Sequence, residues 1–224
     1  MSNNPDENNY RRHLKSTSEE LFRHGYLTLL GLGQAVAFHL LAENVFHLYE
    51  LKHLTFCDII FSITTILALI HTWNEYFMVL SLFRWIPTLI DSVVPFAIFV
   101  TEVFLAKSIN DPLVWIIAMG AYVFFALTGY VYMVKQCKKY PENNIGLNLS
   151  GARTNKVKII LSIISFISFL MALLFYYKII NLNEDVITIL AISYFLILIS
   201  FSVDSYLFWN KIIKFIRNDK GADN

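Results

Sequence analysis

The chain has 224 residues, of which 56% are hydrophobic and 16% are charged, and its formal net charge is +1. Ordinary soluble domains carry about 25% charged residues, so the composition argues against a soluble globular protein. The basic residues flank apolar runs and form no single soluble patch, which argues against a nucleic-acid-binding surface. The composition therefore predicts an integral membrane protein in contact with the lipid bilayer.

Six apolar runs are long enough to cross a bilayer, which takes about 20 helical residues. Residues 1–24 are predicted to form a polar tail, whose amphipathic stretch is either a short helix at the membrane surface or a solvated linker. Residues 210–224 form a basic tail. The predicted fold is all-α, a polytopic bundle of six transmembrane helices at about 25–46, 57–82, 86–106, 113–134, 157–180 and 186–209.

Lysine and arginine predict the orientation of this bundle. Fifteen of the eighteen fall on one side of the predicted membrane, and only Lys52, Lys107 and Lys178 fall on the other. Cytoplasmic loops are enriched in Lys and Arg, so both termini are predicted to be cytoplasmic, in a plasma or inner membrane. The loop 135–158 holds six basic residues and is the predicted contact for anionic lipid or a protein partner.

Tryptophan and glycine positions add two structural expectations. Trp115 falls at the predicted outer boundary, where it would belong to an aromatic belt at the lipid headgroups. The first span contains two pairs of small residues four apart, Gly31 with Ala35 and Gly33 with Ala37, a spacing that allows close approach of a second helix.

Ionisable residues inside the predicted spans are the candidates for function, because a charge at the bilayer centre costs about 2.5–3.5 kcal/mol on insertion scales. In the second and third spans these residues are spaced at helical intervals, so those of each span share one face. They could pair to hold helices together, or they could form a path for protons or small cations. The predicted path consists of His71, Glu75, Arg84, Asp91, Glu102 and Asp204.

Depth along the helices separates the polar residues into two predicted clusters, at about 1.5 Å of rise per residue. An inner cluster contains most of the predicted path. An outer cluster contains His39, Glu43 and Glu102. Pro95 lies four residues after Asp91 and leaves the Asp91 carbonyl without its helical hydrogen bond.

Two other functions stay open on the sequence. His39 and Glu43 are one helical turn apart and could bind a divalent metal, as in a membrane-embedded enzyme that acts on lipid. The chain could also be a non-enzymatic sensor or partner-binding subunit. Translocation of protons or small cations is favoured over catalysis, and a narrow pore among six short helices predicts a homo-oligomer.

Overall fold

The computed structural model describes residues 5–51, 54–82, 89–138 and 184–219, and also residues 160, 163, 166, 167, 169, 170, 173 and 174. Over these residues the fold is all-helical, as predicted, and the eight single residues are helical too. The count of six spans and the cytoplasmic termini remain predictions. The long helices are α1 (Pro5–Glu50), α2 (Phe56–Leu82), α3 (Leu89–Lys107), α4 (Pro112–Cys137) and α5 (Glu184–Asp219).

Four segments of these helices are long and apolar enough to cross a membrane. They are His24–Glu50, Phe56–Leu80, Pro112–Tyr132 and Asp185–Lys211. Between 22% and 39% of the most apolar stretch of each is buried inside the bundle, so most of its residues are at least partly exposed. Large apolar side chains therefore cover the outside of the bundle, among them Leu32, Ile63 and Ile189. A surface of this kind indicates a membrane protein.

The N-terminal helix differs from the predicted arrangement. The sequence predicts a short amphipathic helix that ends before the first span, whereas α1 continues unbroken from Pro5 to Glu50. Its 46 residues correspond to a length of about 70 Å. After Pro5 this stretch contains no proline, the residue that most strongly interrupts a helix.

Side-chain caps fix where α2 and α4 begin. The backbone N–H and the hydroxyl of Thr55 both donate to Asp58 Oδ2, at 2.8 and 2.7 Å, and the Asp58 N–H donates back to Thr55 Oγ1 at 3.3 Å. This reciprocal pairing is a capping box. Before α4, the carboxylate of Asp111 accepts the N–H of Val114 at 3.1 Å, and Pro112 occupies the first helical position.

The helices pack as a bundle with α3 against α1 and α4, and with α2 against α5. A Cβ on Gly33 would lie 2.5 Å from Cδ2 of Phe99, so only glycine permits this approach of α1 to α3. Ala37 is fully buried beside it along α1. The close packing expected at Gly33 and Ala37 is confirmed. Ala35 is exposed, and a Cβ on Gly31 would make only an ordinary contact of 3.7 Å with Trp73, so the pair Gly31 and Ala35 is not closely packed.

The prediction that Trp115 faces the lipid headgroups is wrong. Its side chain is fully buried, stacks on Phe61 with ring centroids 4.4 Å apart, and packs edge-on against Tyr194. The indole N–H donates to Thr65 Oγ1 at 3.0 Å. Because an internal hydroxyl satisfies the indole N–H, Trp115 needs no polar interface, and its position near a helix end was a misleading signal.

Candidate functional site

The polar stripe predicted on α2 faces α5. His71 Nδ1 lies 3.4 Å from Ser202 Oγ, and the Ser205 hydroxyl donates to Glu75 Oε1. The imidazole ring also stacks on Phe201, with centroids 5.9 Å apart and planes 19° apart. Two of the predicted path residues are therefore anchored by serines and an aromatic ring of one neighbouring helix.

Asp204 joins this group through a tyrosine of α4. Asp204 is half-buried on α5, and Tyr130 lies within electrostatic range of both Asp204 and Glu75. Two acidic residues that are far apart in the sequence thus lie near one phenol. His71, Glu75 and Asp204 therefore occupy one region of the bundle, and their role as a path remains a prediction.

A cavity of about 130 Å³ lies next to this group. Side chains from all five long helices line it, and five of them are tyrosines. We call this space the tyrosine cavity and define it by the polar residues of its wall: Tyr26, His71, Thr72, Glu75, Tyr76, Tyr122, Tyr130 and Tyr132. The rest of the wall is mostly aliphatic, so the polar groups stand in an otherwise apolar space.

Hydroxyl groups extend from the cavity wall into the bundle. Thr72 Oγ1 and Tyr122 OH lie 2.8 Å apart, and they lie 3.0 and 3.2 Å from the carbonyl oxygen of Ala68. Tyr76 packs edge-on against Tyr26, with ring centroids 5.2 Å apart. Side-chain oxygens of α1, α2 and α4 therefore form a layer at the cavity wall.

Glu102 lies directly behind this layer. Its side chain is fully buried, and neither carboxylate oxygen has a hydrogen-bond partner among the described residues. Thr72 and Gln34 approach the carboxylate without reaching hydrogen-bond geometry, and the Gln34 amide donates instead to Leu69 O at 2.8 Å. A buried carboxylate without a partner is costly, since burial removes its hydration and no hydrogen bond replaces it.

The structure groups Glu102 with the cavity and not with the predicted outer cluster. His39 and Glu43 are exposed on the outside of the bundle. They follow buried Gln34 by five and nine residues, which turns them by about 140° and 180° around α1. The outer cluster was predicted from depth along the helices alone. The rotation of α1 places His39 and Glu43 on the outside of the bundle, away from Glu102.

The metal prediction at His39 and Glu43 gains no support from the described residues. A metal site would need a group of three or more His, Cys, Asp or Glu side chains. The described residues contain no such group. Both residues lie on one exposed helical surface, one turn apart. The assignment of these two residues to a metal remains a prediction.

Two predicted path residues are described incompletely or not at all. Arg84 lies outside the described residues. Asp91 lies within α3, but its side chain is outside the described part of the structure. Further along α3, Pro95 and Ile98 line the tyrosine cavity, so the stripe predicted to contain Asp91 faces it at these two positions.

The tyrosines of α4 were missed by the sequence reasoning, which counted acidic residues and found none in that span. Their signal is nevertheless present in the sequence. Tyr122, Ala126 and Tyr130 repeat every four residues and therefore share a face, and all three line the cavity. A search for phenols at helical spacing would have found them.

Comparison with models of protein families, with curated proteins and with solved structures gave no match to this chain. The argument for function therefore depends on the site itself, on its burial, its hydrogen bonds and its charges.

Proposed function

We propose that this protein translocates protons across a membrane through the tyrosine cavity and the buried carboxyl of Glu102. The observation that carries the proposal is that Glu102 is fully buried and has no hydrogen-bond partner among the described residues. Ionisable groups inside membrane spans commonly mark proton relays or ion routes. A carboxyl group there can take up a proton and release it.

The path begins at Asp204 and Glu75, which lie within electrostatic range of Tyr130, and passes His71 at the cavity wall. It continues through the hydroxyls of Thr72 and Tyr122, which can each donate and accept a proton. Glu102 is the far end of the path among the described residues. Its charge lies within electrostatic range of Tyr122 and Tyr76.

Protons fit this path better than metal cations do. Selective passage of K⁺ depends on rings of oxygen ligands that replace the hydration shell of the ion. The described wall of the tyrosine cavity offers one carboxylate, Glu75, among tyrosines and aliphatic side chains. A proton needs only a sequence of single donors and acceptors, and the hydroxyls supply it.

The proposal includes the predicted topology of six spans with both termini in the cytoplasm of a plasma or inner membrane. The asymmetry of lysine and arginine supports it, and it orients the tyrosine cavity towards the cytoplasmic half. Oligomer formation and a partner at the loop 135–158 remain parts of this proposal. A reporter fused at Lys139 should be cytoplasmic, and its appearance outside the cell would contradict the orientation.

The test is ion flux into liposomes that contain the purified chain. We expect an inward proton current driven by a membrane potential, and no comparable flux of Na⁺ or K⁺. Glu102→Gln keeps the shape of the side chain and removes its exchangeable proton, so we expect flux to fall by at least about tenfold, given the 10²–10⁴-fold effects usual for proton-transfer groups.

Glu43→Gln is the matched control, because it makes the same chemical change at an exposed position of α1. It should leave proton flux unchanged. Wild-type flux in Glu102→Gln would remove Glu102 from the path, and no proton flux in the wild type would refute the proposal. Asp91→Asn, tested in the same way, asks whether the path includes the remaining acidic residue of α3.

A further inference from the structure

The wall of the tyrosine cavity is unusually rich in aromatic rings. Besides its five tyrosines, it contains Phe201, which stacks on His71. Tyr26 and Tyr76 meet edge-on with planes 61° apart, so they form a corner of the wall and not a flat stack. Rings at an angle to one another surround a ligand better than parallel rings do.

Acidic side chains predominate around this wall. Among the described lining residues Glu75 is the one carboxylate and His71 the one imidazole, and Asp204 and Glu102 lie within electrostatic range of Tyr130 and Tyr122. The described residues that line the cavity include neither lysine nor arginine. The cavity therefore favours a cation and disfavours an anion such as a phosphate group.

The remaining wall is aliphatic, and the space is small. Val79, Ile90 and Val94 contribute hydrocarbon surface. The volume of about 130 Å³ approaches that of an engineered cavity of roughly 150 Å³ that holds benzene. A bare metal ion would leave most of this surface unused, whereas methyl groups would fill it.

We propose that the tyrosine cavity binds a small organic cation of the quaternary ammonium class. Aromatic rings attract such a cation through their electron-rich faces, and cages of aromatic residues recognise quaternary ammonium groups. Glu75 supplies the opposite charge, and the aliphatic wall contacts the methyl groups. This inference does not depend on proton translocation, because a quaternary ammonium carries no exchangeable proton.

The test uses choline and 3,3-dimethyl-1-butanol, which have nearly the same shape and differ in charge. Binding of each to the purified full chain is measured by calorimetry in nanodiscs of phosphatidylglycerol, which contain no choline. We expect choline to bind at least about tenfold more tightly, from the cation–π contacts and the Glu75 charge. Equal affinity for the two compounds, or no binding of choline, would overturn the proposal.

Substitutions locate the binding to this cavity. Tyr76→Phe keeps the ring and should bind choline within about threefold of the wild type, whereas Tyr76→Leu should bind at least about tenfold more weakly. Tyr49→Leu is the control, because Tyr49 is exposed at 69% on α1. Glu75→Gln should weaken choline binding and leave binding of the neutral alcohol unchanged.

Three outcomes would overturn the location: Tyr76→Leu binds choline as the wild type does, Glu75→Gln does so, or Tyr49→Leu loses as much affinity as Tyr76→Leu. Thermal unfolding of each variant separates a lost contact from a lost fold, and Tyr76→Phe serves as the folded reference. A final arm repeats the titration with a soluble short-chain phosphatidylcholine. Competition with choline would assign the ligand to a lipid headgroup, and its absence to a free cation; both results support the proposed chemistry.

Discussion

The two halves of the helix bundle differ in how their polar groups are packed. In one half, Phe61, Thr65, Trp115 and Tyr194 form a closed cluster, which we call the Trp115 core. Its indole N–H has a partner, its rings touch, and the capped starts of α2 and α4 lie at the same end. In the other half, the tyrosine cavity leaves space between the same helices.

Under the proposed function, this difference separates a half that supplies stability from a half that carries chemistry. Close packing with satisfied hydrogen bonds makes the Trp115 core resist change. The cavity half is less closely packed. The acidic groups around the cavity include Glu102, which has no hydrogen-bond partner among the described residues. Polar groups that line a cavity can contact a proton or a ligand inside it, so both proposals place function in the cavity half.

The largest effect on stability should come from opening the Trp115 core. Trp115→Ala removes a fully buried ring and should lower the free energy of unfolding by about 3–5 kcal/mol, as for other buried large-to-alanine changes. Trp73→Ala is the control, since Trp73 is 40% exposed on α2. Equilibrium unfolding in mixed detergent micelles measures both. Similar losses for the two variants would contradict the assignment of stability to this core.

A smaller effect should distinguish two glycines of α4. A Cβ on Gly120 would overlap Cβ of Phe169, which lies next to the backbone and cannot move away. Gly120→Ala should therefore lower the free energy of unfolding by about 1–3 kcal/mol, the usual cost of overpacking. A Cβ on Gly129 would lie 2.7 Å from Cγ1 of Val94, which lines the cavity and can turn into it.

For Gly129→Ala, the gain of about 1 kcal/mol in helix propensity should offset most of that contact. We expect its free energy of unfolding to stay within about 1 kcal/mol of the wild type. The same unfolding assay compares the two variants. If Gly129→Ala were the more destabilised of the pair, the space beside Val94 would not be available. That result would contradict looser packing of α4 on its cavity side.

The smallest effect concerns one hydroxyl in each half. Thr65→Val leaves the Trp115 indole N–H without its acceptor and should lower the free energy of unfolding by about 0.6–1.7 kcal/mol, the range found for hydrogen bonds between membrane helices. Thr72→Val should cost less, because Tyr122 OH keeps the Ala68 carbonyl as a partner at 3.2 Å. Unfolding curves of the two valine variants should differ in this order, and the reverse order would place the tighter network around the cavity.

Much of the architecture could be read from the sequence because it depends on local patterns. The starts predicted for the second and fourth spans fall within one residue of α2 and α4, where Thr55 and Asp111 provide the caps. The helical spacing of His71 and Glu75 also predicted their shared face, which α5 covers. Periodicity and capping depend on a few neighbouring residues, so they can be recognised without any knowledge of the fold.

The sequence could not show which residues of different helices meet. Glu102 was assigned by depth to the same cluster as His39 and Glu43, and the structure instead shows it beside Thr72 and Gln34. Trp115 was assigned to the membrane boundary, and the structure buries it against Phe61. Both assignments failed because the rotation of each helix about its axis depends on its neighbours.

The sequence by itself determined that this chain is an apolar, helical membrane protein with titratable residues inside its spans. Insertion into lipid requires long apolar helices, and that requirement is met within each segment separately. Only the tertiary structure decided that five tyrosines surround a cavity and that Glu102 lies buried behind its wall. These features arise from the packing of five helices at once, which the pattern of any single helix does not contain.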